Sequence, residues 1–521
     1  MSTPVAVPSD AELESAGAVF GEVLVDNQNI FSTDDRPDAR PLFRLANHLH
    51  ARTRASVVRS QLLFRPGDRY SRRLLEESER ILRAEQYFYD ASIRPVRYHD
   101  GRVDVQVTTR DVWTFDPGVS YRRQGGANST GVSLEELNFL GSGAKIQLSH
   151  ATNVDRSGNS ITVVDPHAFD NWTAVTAAYA NNSDGYSGEL AADHPFYALD
   201  VRRAYGIDVL EAHQVDPLYD RGEVVDEFHD HRTYAQAYLG WSPGLQAGWV
   251  QRFSAGFTED EHIFSSTPTW SGPTLLPADR KLVYPWVAYD LIQDDYVKLR
   301  NHDQIWRTED FYLGTQLGAR IGWSDPSFGA DRKALMLSGY AGRGFGMGEH
   351  IVVLAVSSFS GRLESGSLRN GVLSGSGRLY LEQASHWLFF ASLQGTVSHE
   401  PDLDNQILLG GDSGLRGYPL RFQGGTASAL ATVEQRYFSD WYPLRLLRVG
   451  AAVFADAGRT WGATPLTARN LGMLEDVGFG LRFGNARSGL GNVIHVDVAV
   501  PLQRVLGVQS VQFLVTTQQR F

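Results

Sequence analysis

The chain has 521 residues, no cysteine and a formal net charge of −12, from 48 basic and 60 acidic side chains. That length suits two or three ordinary domains, or one small domain and a large barrel. The acidic balance argues against a nucleic-acid binder, and the missing cysteines exclude a disulfide scaffold, a thiolate metal site and a cysteine nucleophile.

The opening "MSTPVAVPSDAELES" has neither a basic n-region nor an apolar h-region. Either the chain is cytosolic or its numbering omits a signal peptide, and residues 1–18 read as a flexible segment. "GEVLVDNQNIF" (Gly21–Phe31) then reads as a strand and "PLFRLANHLHART" from Pro41 as a short helix. "RPGD" (Arg65–Asp68) is a turn, and Ser71 can cap a helix whose Leu74, Leu75, Ser78, Ile81 and Leu82 form one stripe. Two strands follow, the second, "GRVDVQV", alternating at Val103, Val105 and Val107. Strand, helix, helix, strand, strand over residues 19–113 predicts a small α+β domain.

Beyond Trp113 no helical pattern stands out. Runs of about ten residues alternate with period two and are separated by Gly, Asn, Asp and Ser. In "LRVGAAVFAD", Leu447, Val449, Ala451, Val453 and Ala455 oppose Arg448, Gly450, Ala452, Phe454 and Asp456. In "DVGFGLRFG", Val477, Phe479, Leu481 and Phe483 oppose Gly478, Gly480, Arg482 and Gly484. A sandwich would also want one apolar face, but three details favour a membrane barrel. One face carries charges and bare glycines, as a wet lumen would, and aromatics gather at strand ends in "YFSDWYP" (Tyr437–Pro443). The third is the final run "SVQFLVTTQQRF", a strand carrying Phe513 and ending on Phe521. No apolar run approaches the ~18 residues of a membrane-spanning helix. The mean hydropathy of −0.26 fits a barrel with a polar lumen as well as a soluble protein. The expected class is therefore mainly β, a transmembrane antiparallel β-barrel over residues 114–521, and the runs count to sixteen to twenty strands.

The glycine-rich stretch "LLGGDSGLRGYPLRFQGGTA" (Leu408–Ala427) holds an arginine on a loose tether. It follows the polar loop "VSHEPDLDNQ" and precedes a strand carrying Glu434 and Arg436; the next strand ends in "FADAG". Period two places Asp456 on the face of Arg448 and Phe454, so an arginine brought inside would find a carboxylate. The pair can form two parallel hydrogen bonds, which fix orientation as well as position. Gly478, Gly480 and Gly484 would let the loop backbone approach the wall.

On these residues the sequence resembles the BamA/TamA-like outer-membrane assembly and transport family: Leu415, Arg416, Gly417 and Tyr418 at a loop tip, with Phe454, Asp456 and Gly458 on a barrel strand. The resemblance implies a loop around 398–427 folded back into a sixteen-stranded barrel, with Glu434 as a second carboxylate. It also implies one POTRA domain at 19–113, resting on "LLFRPGDRYS" and "EESERILRAEQYF". That domain would face the periplasm of an outer-membrane protein that inserts or translocates client polypeptides, with periplasmic accessory factors and membrane lipids as further partners. A simple channel or structural barrel is the alternative. The essential assembly factors carry several POTRA domains, two-partner secretion transporters carry two and a plug helix, and a patatin-like branch carries a lipase. None of that is found here, so the sequence fits a minimal member, with no enzyme activity, cofactor or metal expected.

Three sharper motifs give way to plainer readings. "GDSG" (Gly411–Gly414) matches part of the chymotrypsin-like nucleophile stretch, but Leu415 follows it and no matching histidine motif exists. His229 and His231 in "DEFHDH" share one face of a possible strand, yet surface hairpins rich in His and Asp are commoner than metal sites. His48 and His50 lie two apart on a helix and do not face each other, which suits core or surface histidines.

Overall fold

A computed structural model describes the chain except for residues 1–6, 32–40, 170–171, 269, 271, 273–274, 349, 467–469, 486, 488–492 and 519–521. The N-terminal domain contains α1 (Asp10–Ser15), β1 (Val19–Gln28), α2 (Pro41–Leu49), α3 (Ala55–Ser60), α4 (Arg72–Ala84), β2 (Phe88–His99) and β3 (Arg102–Asp111). The sheet order is β1-β3-β2, with β1 parallel and β2 antiparallel to the central strand. Val103, Val105 and Val107 of β3 are fully buried against Leu75 and Leu82 of α4 and Phe20 of β1. Strand period two thus meets the one apolar stripe of an amphipathic helix. Pro95 is on the edge strand β2, where a missing N–H need not break a ladder on both sides.

The expectation of a flexible segment over 1–18 is corrected from residue 7 onward. Leu13 of α1 is fully buried in the same core, Ser9 and Glu12 form a reciprocal capping box, and the Tyr70 hydroxyl donates to Asp10 at 2.6 Å. The helices α1 and α3, six residues each, are too short to show a period in sequence. Ser71 occupies the N-cap position of α4, but its side chain makes no capping hydrogen bond.

From Phe115 onward the chain closes into an antiparallel barrel of twenty strands, with the two-residue segment Leu245–Gln246 as an added pairing. That is the upper end of the count made from alternation and exceeds the sixteen implied by resemblance. Outward positions stay apolar and exposed: Val453 at 57%, Phe479 at 61% and Leu481 at 48%. Their inward neighbours Phe454, Asp456, Gly480 and Arg482 are buried. An apolar exterior around a polar interior is what lipid selects, because closure leaves no unpaired edge in the bilayer. No described helix is long and apolar enough to cross a membrane; the strands make the crossing. Phe513, on the last described strand Gln512–Gln518, points outward, and Phe521 lies outside the described residues.

Strand direction alternates, so the barrel has a POTRA end and a far end. Among the described residues, the last strand pairs with the first (Phe115–Gln124) only at Val515 and Arg123, whereas its other edge is laddered from Val493–Gln518 to Ala499–Gln512. Two segments leave the wall. A hairpin, Tyr296–Arg300 with Thr308–Tyr312, folds inward at the POTRA end, and the loop after His399 folds inward at the far end.

Candidate functional site

The far-end loop reverses through a short pair of strands, Ile407–Leu409 with Gln423–Gly425, and a turn at Gly411–Ser413. Gly414 follows at φ +114°, a left-handed conformation that glycine reaches without a Cβ penalty. Leu415 is fully buried with Leu409, Phe422, Leu430 and Leu474, which anchors the tip by apolar contact.

Arg416 then meets two carboxylates. Its Nε and Nη2 donate to Asp456 Oδ2 and Oδ1 at 2.7 and 2.9 Å, and its Nη1 donates to Glu434 Oε1 at 2.8 Å. The guanidinium lies 3.3 Å over the Phe454 ring, which takes its face while the carboxylates take its edges. The Gly417 N–H donates to Asp476 at 2.9 Å, and a Cβ at Gly417 would come within 2.6 Å of the Asp476 Cβ. The Tyr418 hydroxyl donates to the Glu475 carbonyl at 3.0 Å. Gly458 leaves room for Leu415, whose Cδ1 would stand 2.6 Å from a Cβ there. The structure therefore brings together Leu415, Arg416, Gly417 and Tyr418 with Glu434, Phe454, Asp456 and Gly458.

Two expectations about this site are corrected. These side chains are more enclosed than an open, wet lumen implies: side-chain exposure is 12% for Arg416, 6% for Glu434 and 0% for Asp456. The glycine row does not receive the loop backbone. Gly478 yields to the Phe454 ring, Gly480 to Asp497 and Arg482, and Gly484 to Ile305 of the inward hairpin.

That hairpin, "KLRNHDQIWRTEDFY" (Lys298–Tyr312), is the part of the site that sequence reasoning missed. The second oxygen of Glu434 accepts from Arg436 Nε at 2.9 Å, and Arg436 Nη1 donates to the His302 carbonyl of the hairpin at 2.8 Å. Ile305 and Phe311 pack on Tyr380, Phe390 and Phe438 of the inner wall, and the Tyr380 hydroxyl donates to Asp303 at 3.0 Å. Glu309 accepts the N–H groups of His302, Asp303 and Gln304 at 3.0, 2.9 and 3.1 Å, which fixes the turn. On its other side the hairpin holds the N-terminal domain. Arg83 of α4 forks onto Asp310 at 2.8 and 2.7 Å, Lys298 pairs with Glu79, and Arg307 donates to the Phe88 carbonyl at 2.8 Å. Alternation with Asn301 and Asp303 at a turn could have marked a hairpin, but not its inward course.

The far-end loop has further anchors. Arg362 forks onto Asp402 at 2.7 and 2.7 Å, Arg280 onto Asp404 at 3.0 and 2.6 Å, and Arg421 onto Asp155 at 2.6 and 2.7 Å. The remaining motifs serve local structure. Ser413 Oγ accepts from the Gly410 N–H at 2.7 Å, buried His50 meets Asp111 at 2.9 Å, and His229 stacks on His213 with centroids 5.1 Å apart. His231 lies 3.4 Å from Glu211.

A family model named POTRA, described as surface antigen variable number repeat, matches residues 50–110. No curated protein matches the sequence. Among solved structures, BamA from Haemophilus ducreyi lacking POTRA domains 1–3 is 13% identical, with 95% of this chain and 84% of that chain covered and a TM-score of 0.40. CdiB from Escherichia coli is 14% identical over 96% and 76%, with a TM-score of 0.47. The FrpB iron transporter from Neisseria meningitidis is 8% identical over 83% and 87%, with a TM-score of 0.42. At these scores the likenesses carry no weight beside the POTRA match and the barrel itself. Those two define the class, a POTRA domain joined to an outer-membrane β-barrel. Within that class, residues 50–110 are what the POTRA family model matches.

Proposed function

We propose that this protein inserts or translocates polypeptides at the outer membrane, with its POTRA domain receiving client segments in the periplasm. One observation carries the reading: a POTRA domain shares a chain with a barrel whose loop tip ion-pairs through Arg416 to Glu434 and Asp456. The loop tip acts as an internal latch that sets the barrel wall, and the inward hairpin puts the POTRA domain in contact with that wall. Client segments add to a free edge of the POTRA sheet, whose unpaired backbone groups accept another strand.

A simple channel has one feature in its favour, two further lumen cavities of about 690 and 670 Å³. The loop and hairpin, however, occupy the lumen around Glu434 and leave a space of about 290 Å³ between them, which suits a regulated wall better than an open bore. A depletion strain scored by quantitative proteomics of its outer membrane tests the choice. A selective fall in other outer-membrane proteins is expected; an unchanged outer-membrane proteome with altered uptake of small solutes would favour the channel.

A further inference from the structure

A solvent-open cavity of about 1250 Å³ lies at the junction between the POTRA domain and the barrel. Six arginines line it (Arg52, Arg110, Arg300, Arg445, Arg448 and Arg487), against two carboxylates, Asp26 and Asp90. This concentration stands out in a chain whose net charge is −12. Arg83, Arg280, Arg362, Arg416 and Arg421, outside the cavity, each hold a carboxylate. Among the described residues, Arg52, Arg110, Arg300 and Arg448 form no ion pair, and Arg448 Nε is buried without a hydrogen-bond partner.

The aromatic lining explains how such cations are kept in place. Arg110 stacks on Tyr89 at 3.9 Å and Arg448 on Tyr442 at 3.8 Å. Stacking occupies the faces of the guanidinium groups and leaves their N–H edges available. Burial, with Arg487 nearby, pulls the Arg110 guanidinium below its ordinary value, as expected of a cation held without a full counter-charge. Asp90 is already engaged, accepting from the Ala91 N–H at 2.9 Å and from Thr308 at 3.4 Å.

We propose that this junction cavity binds a phosphate group, carried either by a lipid headgroup or by a small soluble phosphate. A carboxylate offers two oxygens and satisfies one or two guanidinium forks, whereas a phosphate presents more oxygens and accepts from several arginines together. The position between two domains is where ligand sites commonly form. An occupant would also bridge Arg110 of the POTRA domain and Arg448 of the barrel.

The test uses the full chain in a neutral detergent and native mass spectrometry, with phosphatidylglycerol and inorganic pyrophosphate as separate probes. One retained adduct is expected, and Arg110→Gln with Arg448→Gln should lower its occupancy by roughly tenfold or more, the size of losing charge-assisted hydrogen bonds. Arg110→Lys with Arg448→Lys should fall between, since an ammonium keeps the charge and loses the fork. Unchanged heat-shifted gel mobility confirms that each variant is folded. Retention of phosphatidylglycerol alone assigns a lipid headgroup, and retention of pyrophosphate assigns a soluble phosphate. Retention of neither probe, or equal retention by the Gln variant, overturns the proposal. Binding of an acidic peptide in place of both probes also overturns it.

Discussion

Arg416 meets Asp456 edge-on, two N–H groups on two oxygens, with neither side chain more than 12% exposed. Removing one member of such a buried pair leaves the other charge without compensation. Arg416→Ala would also strip Asp456 of its guanidinium fork and leave Glu434 with Arg436 alone. Each single substitution, Arg416→Ala or Asp456→Ala, should cost roughly 3–5 kcal/mol in urea unfolding of the reconstituted barrel. The double variant should be little worse than either single one, because both remove the same interaction. Arg416→Lys should recover only part of the loss. Strictly additive costs would refute the coupling.

The POTRA domain has a complete core of its own, from Leu13 to Val107. A fragment of residues 7–112 is expected to give a dispersed amide NMR spectrum. Within it, Leu82→Ala should destabilise by about 2–5 kcal/mol, the usual cost of a buried leucine cavity. A collapsed spectrum would mean that the domain depends on the barrel rim for its fold.

Asp104 gives the domain a pH signature. Burial opposes its ionisation, but the Glu22 N–H at 2.7 Å, Arg97 at 2.5 Å and His99 at 3.2 Å outweigh this and hold its carboxyl below the ordinary range. A depressed folded-state value contributes stability that is complete above the unfolded value of about 3.9 and is lost as pH falls through the folded one. Denaturant midpoints of the fragment should therefore drop on acidification below about pH 4. Asp104→Asn should reduce that slope. An identical slope in the variant would assign the acid sensitivity to other groups.

The barrel seam can be locked, because the chain has no cysteine to interfere. Arg123→Cys with Val515→Cys places one thiol on each side of the only described register pair between the first and last strands. Facing residues in an antiparallel ladder are close enough for a disulfide. If clients leave through this seam, oxidation should abolish complementation of a depletion strain and reductant should restore it. Full complementation by the oxidised protein would exclude the seam as an exit.

Much of this architecture is written in local pattern. Alternation at Leu447–Asp456 and Val477–Gly484 sets which residues face lipid, and the order of Arg416, Glu434 and Asp456 brings the loop tip to its carboxylates. The limits are equally physical. Period two says nothing about how wet the enclosed face is, so the burial of Asp456 could not be read from it. Nor could alternation distinguish the wall-forming strands from the Tyr296–Tyr312 hairpin, whose two strands pair only with each other. The partners Arg362 with Asp402 and Arg421 with Asp155 are joined across long stretches of chain that no local period connects.

Those long-range ion pairs have a mechanical consequence. Asp155 stands on one sector of the barrel and Arg280 and Arg362, which both approach Asp402, on another, and Gln124 of the first strand donates to the Gly411 carbonyl at 2.7 Å. The loop therefore works like the hub of a spoked wheel, and the far end cannot flatten into an oval without stretching several spokes together. At the POTRA end the first strand, from Phe115 to Arg122, has no described ladder to the last.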